Sequence, residues 1–97
     1  MATYVSLLQF TDQGIRTVKD TTKRAEAAQA MAAKVGVKSV EILWTLGAYD
    51  LVLVGEAPDD ETMTAYALSM ASLGNVRTCT MRAYRAKEVA AILAKMA

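Results

Sequence analysis

The feature that most constrains this chain is a very short connection between two strand-like segments. Val37–Leu46 and Tyr49–Ala57 are rich in β-branched, aromatic and leucine residues, and only Gly47 and Ala48 separate them. A two-residue connection with glycine in first position predicts a β-hairpin closed by a type II′ turn, in which Gly47 is the structural glycine. The two strands are then antiparallel neighbours, so the fold must contain an antiparallel sheet.

The hairpin also predicts which side chains share a face of that sheet, because side chains alternate between faces along a strand. One face carries four cross-strand pairs: Val40 with Gly55, Ile42 with Leu53, Trp44 with Leu51 and Leu46 with Tyr49. The opposite face carries three: Glu41 with Val54, Leu43 with Val52 and Thr45 with Asp50. We expect helices to cover the first face.

The second face is polar at its ends but apolar in its middle. Burying Leu43, Val52 and Val54 would stabilise the fold by about 1.5 to 3 kcal/mol each, so water is a poor cover for them. Two covers are open: the C-terminal helix of the same chain, or the sheet of a second copy. The second would form a dimeric α+β barrel with isologous contacts, and we favour it.

Strand and helix patterns alternate on either side of the hairpin. Thr3–Phe10 predicts a first strand, Gly14–Val35 a first helix ending at Gly36, and Val76–Tyr84 a fourth strand. Between Pro58 and Gly74 a second helix begins at two aspartates, which favour a helix N-terminus. The order β-α-β-β-α-β is typical of the ferredoxin-like α+β fold, an antiparallel sheet with both helices on one face.

A short amphipathic helix follows the fourth strand, over residues 86–97, with Val89, Ile92, Leu93 and Met96 on its apolar side. We therefore expect one domain spanning residues 1–97, with a core of about residues 3–84 and this C-terminal helix. A chain of 97 residues supports one hydrophobic core rather than two.

Composition excludes several classes of function. The apolar fraction of 54% exceeds the roughly 45–50% of ordinary globular proteins, which predicts a homo-oligomer. Lys and Arg total 11 against 10 acidic residues, so nucleic acid is not an expected partner. There is no histidine and only one cysteine, Cys79, so we expect no metal site and no cofactor. Without a signal-like or membrane-spanning segment, we expect no membrane partner and a cytoplasmic location.

At the hairpin the sequence resembles the GYD-domain family of small bacterial and archaeal proteins. Gly47, Tyr49 and Asp50 match the Gly-x-Tyr-Asp signature of that family. Four further segments also look like family positions: Gly14-Ile15, Thr45-Leu46-Gly47, Ala57–Glu61 and Gly74–Thr78. The resemblance implies a ferredoxin-like fold of the dimeric α+β barrel kind and an oligomer, and it implies no particular reaction.

The predicted topology gathers three connections at one end of the sheet: Thr11–Gly14, the hairpin, and Gly74-Asn75. Polar residues from distant parts of the chain then lie near the N-terminus of the first helix, where a small anion can bind. These residues are Asp12, Arg16, Tyr49, Asp50, Asn75 and Arg77. The candidates for ligand binding are Arg16, Trp44, Tyr49, Asp50 and Arg77. Trp44 either lines an apolar cavity or packs in the core or an interface, and packing is the favoured role.

Asp50 has two alternative roles. Its carboxylate can hydrogen-bond backbone N–H groups or pair with Arg16 or Arg77, which would hold the hairpin against the first helix. Alternatively it is a general base, which would require a raised pKa in a dry cleft.

These observations favour a small oligomeric binding or regulatory module for a small ligand or a partner. The alternative is a cofactor-independent enzyme that acts on a small organic molecule in a pocket between sheet and helices, with Asp50 as its base. An RNA-binding sheet of the same strand order is disfavoured, because Leu51–Val54 occupies the place of stacking aromatic residues.

Overall fold

The computed structural model of the protein describes all 97 residues as a four-stranded antiparallel sheet with helices on one face. The strands are β1 (Ala2–Phe10), β2 (Lys38–Trp44), β3 (Leu51–Ala57) and β4 (Val76–Ala83). The helices are α1 (Asp12–Arg16), α2 (Thr21–Val35), α3 (Asp60–Ser72) and α4 (Ala86–Leu93). The order across the sheet is β2-β3-β1-β4, which confirms the predicted ferredoxin-like α+β fold.

The core lies between the sheet and the two long helices, α2 and α3. Ten buried apolar side chains form it: Tyr4, Leu8, Ala32, Val37, Leu51, Leu53, Ala57, Met63, Tyr66 and Met70. The α2 contribution consists of small residues such as Ala28 and Ala32, so the bulk of the core comes from the strands and α3. The Tyr66 hydroxyl donates to the Ala28 carbonyl at 3.0 Å and joins the two helices.

The β2–β3 pairing largely follows the predicted register, with one correction at the start of β2. Ile42 lies opposite Leu53 and Trp44 opposite Leu51, as the hairpin predicts. The pairing of Val40 with Gly55 is wrong, because Ser39 takes the place opposite Gly55 and the register shifts between Ser39 and Glu41. Since β2 is an edge strand with one neighbour, it accommodates Val40 as the extra residue of a bulge.

The hairpin connection is wider than the predicted two-residue turn. The Thr45 N–H donates to the Asp50 carbonyl at 2.9 Å, and residues 46–49 form the loop beyond that bond. The Thr45 hydroxyl donates to the Tyr49 carbonyl at 2.7 Å, so a side chain supplies a contact that a type II′ turn would make with backbone. Gly47 has φ +132°, a left-handed conformation that other residues rarely adopt.

The predicted continuous helix over Gly14–Val35 is wrong, because the chain breaks there into two helices. After α1, a single turn of 3-10 helix over Val18–Asp20 leads into α2. The Arg24 guanidinium donates to the carbonyls of Thr17 and Gly14, at 3.1 and 3.0 Å, and so bridges the break. The Thr17 carbonyl also accepts from the Asp20 N–H at 3.0 Å.

The predicted C-terminal helix forms as α4, but it makes hardly any contact with the rest of the chain. Its apolar residues Val89, Ile92 and Leu93 are exposed. The radius of gyration is 14.5 Å, against about 12.5 Å for a compact domain of this length, in agreement with a projecting helix. The chain therefore leaves the second face of its own sheet uncovered.

Candidate functional site

The Asp50 side chain continues the β1–β3 ladder beyond the end of β3. Its Oδ2 atom accepts from the Phe10 N–H at 2.8 Å, while its own N–H donates to the Leu8 carbonyl at 2.8 Å. It forms no ion pair with Arg16 or Arg77 within 4.0 Å. This geometry is that of the first alternative, a carboxylate that holds backbone N–H groups, and it ties the hairpin to β1.

The loop between β1 and α1 contacts both of the other connections at this end. The Gln9 amide donates to the Ala48 carbonyl at 2.9 Å, which links the end of β1 to the hairpin. The Thr11 N–H donates to the Asn75 carbonyl at 3.1 Å, and the Thr11 hydroxyl donates to the Gly74 carbonyl at 2.5 Å. The three predicted connections therefore do meet, joined by hydrogen bonds from side chains and backbone to the carbonyls of residues 48, 74 and 75.

The predicted polar candidates do not form one cluster there. Arg16 and Asp12 are exposed on α1, and Arg77 is exposed on edge strand β4 opposite Gln9. Tyr49 is half-buried within the hairpin loop. None of these side chains shares a hydrogen bond with another, so the predicted convergence on one anion is not seen in their contacts.

A cavity of about 310 Å³ lies on the helix-covered face, between α2, α3 and the sheet. Its walls are almost entirely apolar and include Leu51, Leu53, Ile42, Ala28 and Met70. The cavity exists because the alanine-rich side of α2 faces large strand residues without filling the space between them. The alternative enzyme hypothesis expects a pocket between sheet and helices with Asp50 as its base, and Asp50 does not line this cavity.

Trp44 stands beside this cavity rather than in its wall. Its indole Nε1 donates to the Thr21 hydroxyl at 3.0 Å, and Thr21 is one of the few polar residues that line the cavity. The Trp44 side chain is 45% exposed, so it covers the cavity from the β2 edge while remaining in contact with water.

A second polar cluster, which the sequence patterns do not reveal, lies at the opposite end of the helix-covered face. The buried Tyr4 hydroxyl donates to Asp60 Oδ1 at 2.5 Å. That hydrogen bond, together with burial, raises the pKa of Tyr4 to about 12. The Arg82 guanidinium lies 5.7 Å from the Tyr4 ring centroid and 4.3 Å from that of Tyr84.

Arg82 also connects this cluster to the start of α4. Its Nη2 atom lies 3.5 Å from Glu88 Oε2, and the Arg85 N–H donates to the Glu88 carboxylate at 3.0 Å. The backbone N–H of Arg85, followed by the Arg82 contact, holds the pKa of Glu88 below its usual value. The only sequence signal for the cluster is the alternation of β4, in which Thr78, Thr80 and Arg82 form the polar set.

The structure reverses the usual arrangement of that strand, because the polar set faces the helices. Cross-strand pairs place Cys79 opposite Leu7 and Met81 opposite Val5, on the uncovered side. We name this side the open sheet face. It is formed by Val5, Leu7, Leu43, Val52, Val54, Cys79 and Met81.

Leu43 and Met81 of the open sheet face are 49% and 43% exposed, and Glu41, Glu56 and Arg77 lie at its margins. No group of three or more Cys, Asp or Glu side chains is placed to hold a metal ion. None of the four helices combines the length and the apolar character needed to cross a membrane.

The fold and these surfaces define a small ferredoxin-like α+β protein with an uncovered apolar sheet face. It belongs to the GYD-domain family: the family described as "GYD domain" matches residues 4–93, which confirms the resemblance at the hairpin. The chain is similar to a protein of Thermus thermophilus named "Glutamine synthetase and cystathionine beta-lyase binding protein". The two are 38% identical over 84 residues, which is 86% of this chain and 88% of that relative.

Proposed function

We propose that this protein is a homo-oligomeric module that binds other proteins, and that its partners are metabolic enzymes. The observation that carries the proposal is the similarity to a relative whose name states that it binds glutamine synthetase and cystathionine beta-lyase. The similarity extends over 86% of this chain and 88% of the relative, so it is not confined to the hairpin signature.

The exposed apolar surface supports a role in association. The open sheet face has an apolar centre and charged margins, which is the usual composition of a protein interface. Stable interfaces bury about 800 Å² on each partner, which is on the order of one face of a small sheet. We propose that this face joins two copies in a dimeric α+β barrel.

The test is direct measurement of binding to the two enzymes named for the relative. Glutamine synthetase and cystathionine beta-lyase from the source organism of this chain are purified, and each is titrated with the protein in a calorimeter. We expect saturable binding to at least one enzyme with a Kd in the micromolar range or below. Serum albumin serves as the control protein. A Kd of ~50 μM corresponds to a binding free energy of about −6 kcal/mol. If neither enzyme binds with each component at ~50 μM, the proposal is overturned.

A second candidate function is small-ligand binding, favoured by the cavity between the sheet and the helices. Its volume of about 310 Å³ falls at the lower end of the range of small-molecule sites. The cofactor-independent enzyme with Asp50 as base has less support, since the Asp50 carboxylate lies outside the cavity wall and is engaged by the Phe10 N–H.

A further inference from the structure

The cavity has the size and the walls of a site for a small apolar molecule. An apolar cavity of ~150 Å³ holds one benzene molecule. This cavity, at about 310 Å³, can therefore hold a ligand roughly twice the size of benzene. Leu51, Leu53 and Ile42 form the sheet side of the wall, and Ala28 and Met31 form the α2 side. Such a wall offers dispersion contacts and no hydrogen bonds, so the bulk of the ligand must be hydrocarbon.

Apart from Tyr66, whose hydroxyl is engaged by the Ala28 carbonyl, three polar residues line the cavity, and their contacts place them at one end of it. Thr21 and Arg24 lie in the first turn of α2, and Arg24 donates to the Gly14 carbonyl at 3.0 Å. Gly14 packs directly against the backbone of Asn75, the third polar residue. The cavity is therefore apolar along its length and polar only where α2 begins.

The groups at this end are hydrogen-bond donors. The Thr21 oxygen already accepts from Trp44, which leaves its hydroxyl hydrogen to donate, and Asn75 Oδ1 accepts from Gln13 at 3.0 Å, which leaves its amide N–H groups. Arg24 uses three donor contacts on Thr17 and Gly14, of the five N–H groups that a guanidinium carries. This end of the cavity therefore has N–H and O–H donors for which the protein supplies no acceptor.

Arg24 is also a half-buried positive charge without a carboxylate partner. The two ion pairs of the protein are Lys38 with Glu56 and Arg82 with Glu88, and no acidic side chain lies within 4.0 Å of Arg24. Its guanidinium stands over the Phe10 ring at 5.8 Å, at the edge of the cavity. A partly desolvated guanidinium is stabilised by an anion, and carboxylate geometry matches its planar donors.

We propose that the cavity binds a small carboxylic acid, with its hydrocarbon part against the sheet and its carboxylate at Arg24, Thr21 and Asn75. This inference rests on the second proposed function, ligand binding in the cavity, and is independent of enzyme binding. It specifies the class of ligand: an anion with an apolar body of about eight to twelve carbon atoms, the size that about 310 Å³ admits.

Octanoate and octanol are the probes, because they share a hydrocarbon chain and differ in the anionic group. Binding is followed by calorimetry and by the fluorescence of Trp44, the single tryptophan, which contacts Thr21 at the cavity. We expect octanoate to bind about tenfold more tightly than octanol, a difference of ~1.4 kcal/mol. Arg24→Gln should reduce octanoate affinity to that of octanol, while its unchanged octanol affinity shows that the cavity remains intact.

The location of the ligand site is tested by replacing two alanines of α2, one at a time, with phenylalanine. Ala28→Phe fills the cavity and should abolish binding of both probes, whereas Ala30→Phe places the same ring on the exposed side of α2 and should leave binding unchanged. Ala25→Leu, which also reduces the cavity, serves if Ala28→Phe does not fold.

The outcomes separate the inference from the function on which it rests. If octanol binds as tightly as octanoate, and Ala28→Phe abolishes both, the cavity is a ligand site and the carboxylate inference is wrong. If neither probe binds, or if Ala28→Phe leaves octanoate binding unchanged, the cavity is not the ligand site and both statements fail.

Discussion

Asp50 shows how one side chain can extend a strand pairing past its last backbone bond, which here runs from the Asp50 N–H to the Leu8 carbonyl. The Phe10 N–H lies just past the end of the β1–β3 ladder, and without the Asp50 carboxylate it would lose its partner at a half-buried position. An unsatisfied buried donor costs about 1 to 3 kcal/mol, more than the bond contributes when it is formed. The conformation of the hairpin loop therefore depends on Asp50 as well as on its glycine.

Asp50→Ala should lower the free energy of unfolding by about 1 to 3 kcal/mol, because the Phe10 N–H is left unpaired. Asp50→Asn should lose less, since its amide oxygen still accepts. Urea denaturation followed by circular dichroism measures both, with the exposed Glu26→Ala as control. An Asp50→Ala variant as stable as the control would contradict the structural role. The general base would then be the remaining alternative for Asp50.

Tyr4 makes the stability of the protein sensitive to alkaline pH. The unfolded phenol loses its proton at its ordinary pKa of 10.0, whereas the folded phenol keeps its proton to about 12. Below pH 10 the Tyr4 phenol is protonated in both the folded and the unfolded state, and its contribution to the free energy of unfolding is fully present. That contribution is lost as pH rises from 10 through 12, and it amounts to about 3 kcal/mol at most.

The matching measurement is urea denaturation at several pH values between 9 and 12. Tyr4→Phe should lessen the decline in stability across this interval, because one group that keeps its proton in the folded state is gone. Part of the decline should remain, since burial also raises the pKa of Tyr66. Tyr84→Phe, at a half-exposed tyrosine in contact with the same arginine, should retain the decline. Equal slopes in the wild type and Tyr4→Phe would show that Tyr4 does not cause it.

Residue roles were predictable from the sequence where they follow from local pattern. The preference of Asp50 for backbone N–H groups is a property of aspartate near turns, and one of its two predicted roles matches the geometry. The Tyr4–Asp60–Arg82 cluster was not predictable, because Tyr4 and Asp60 lie 56 residues apart and meet only when β1 packs against α3. Arg24 was missed for a different reason: its partners lie only 7 and 10 residues before it, but across a break between α1 and α2 that the helical pattern does not show.

At the scale of elements, the packing of α1 against the start of β4 depends on Gly14. A Cβ atom at Gly14 would lie 2.0 Å from the Asn75 carbonyl oxygen, and that neighbour is backbone with little freedom to move. Gly36, at the end of α2, presents a different constraint. Its φ is +86° and no atom lies near the position of a Cβ, so only the left-handed conformation opposes a side chain there.

Gly14→Ala should therefore destabilise the fold more than Gly36→Ala. We expect a loss of about 3 kcal/mol or more at Gly14 from overpacking, and of about 1 kcal/mol at Gly36 from backbone conformation. Thermal and urea denaturation of the two variants against wild type measure the difference. A smaller loss at Gly14 than at Gly36 would mean that α1 can move away from Asn75 at little cost.

The elements themselves were predictable, and their interruptions were not. Periodicity and flanking residues identify every strand and the long helices, because these signals are local. The break at Thr17–Asp20 and the bulge at Val40 depend on what lies next to them. Arg24 donates to carbonyls on the far side of the break, and the edge position of β2 tolerates the extra residue. The apolar pattern continues through Val18 at helical spacing, so it does not reveal the break, and it does not reveal that β2 is an edge strand.

At the scale of the whole molecule, the open sheet face and the exposed apolar side of α4 remain without cover in a single chain. Replacing one residue of that face by lysine costs the monomer little, since Leu43 and Met81 are already nearly half exposed. In a dimer joined through this face, the same lysine would be buried against apolar neighbours without a partner, which is strongly unfavourable. The oligomeric state therefore reports on the face without requiring any knowledge of the enzyme partner.

If the open sheet face joins two copies as proposed, Leu43→Lys combined with Met81→Lys should convert that dimer into a monomer of 10.4 kDa. Sedimentation equilibrium at ~10 to 100 μM measures the mass. Dimers with dissociation constants in this range have association free energies of about −5.5 to −7 kcal/mol. Leu68→Lys is the matched control, because Leu68 is 65% exposed on α3, away from the open sheet face, and should leave the dimer intact. A wild-type monomer throughout this range, or a double variant that still dimerises, would show that the open sheet face does not join two copies. If the double variant is a folded monomer that still binds an enzyme partner, self-association and enzyme binding use different surfaces, and the exposed side of α4 becomes the next surface to substitute.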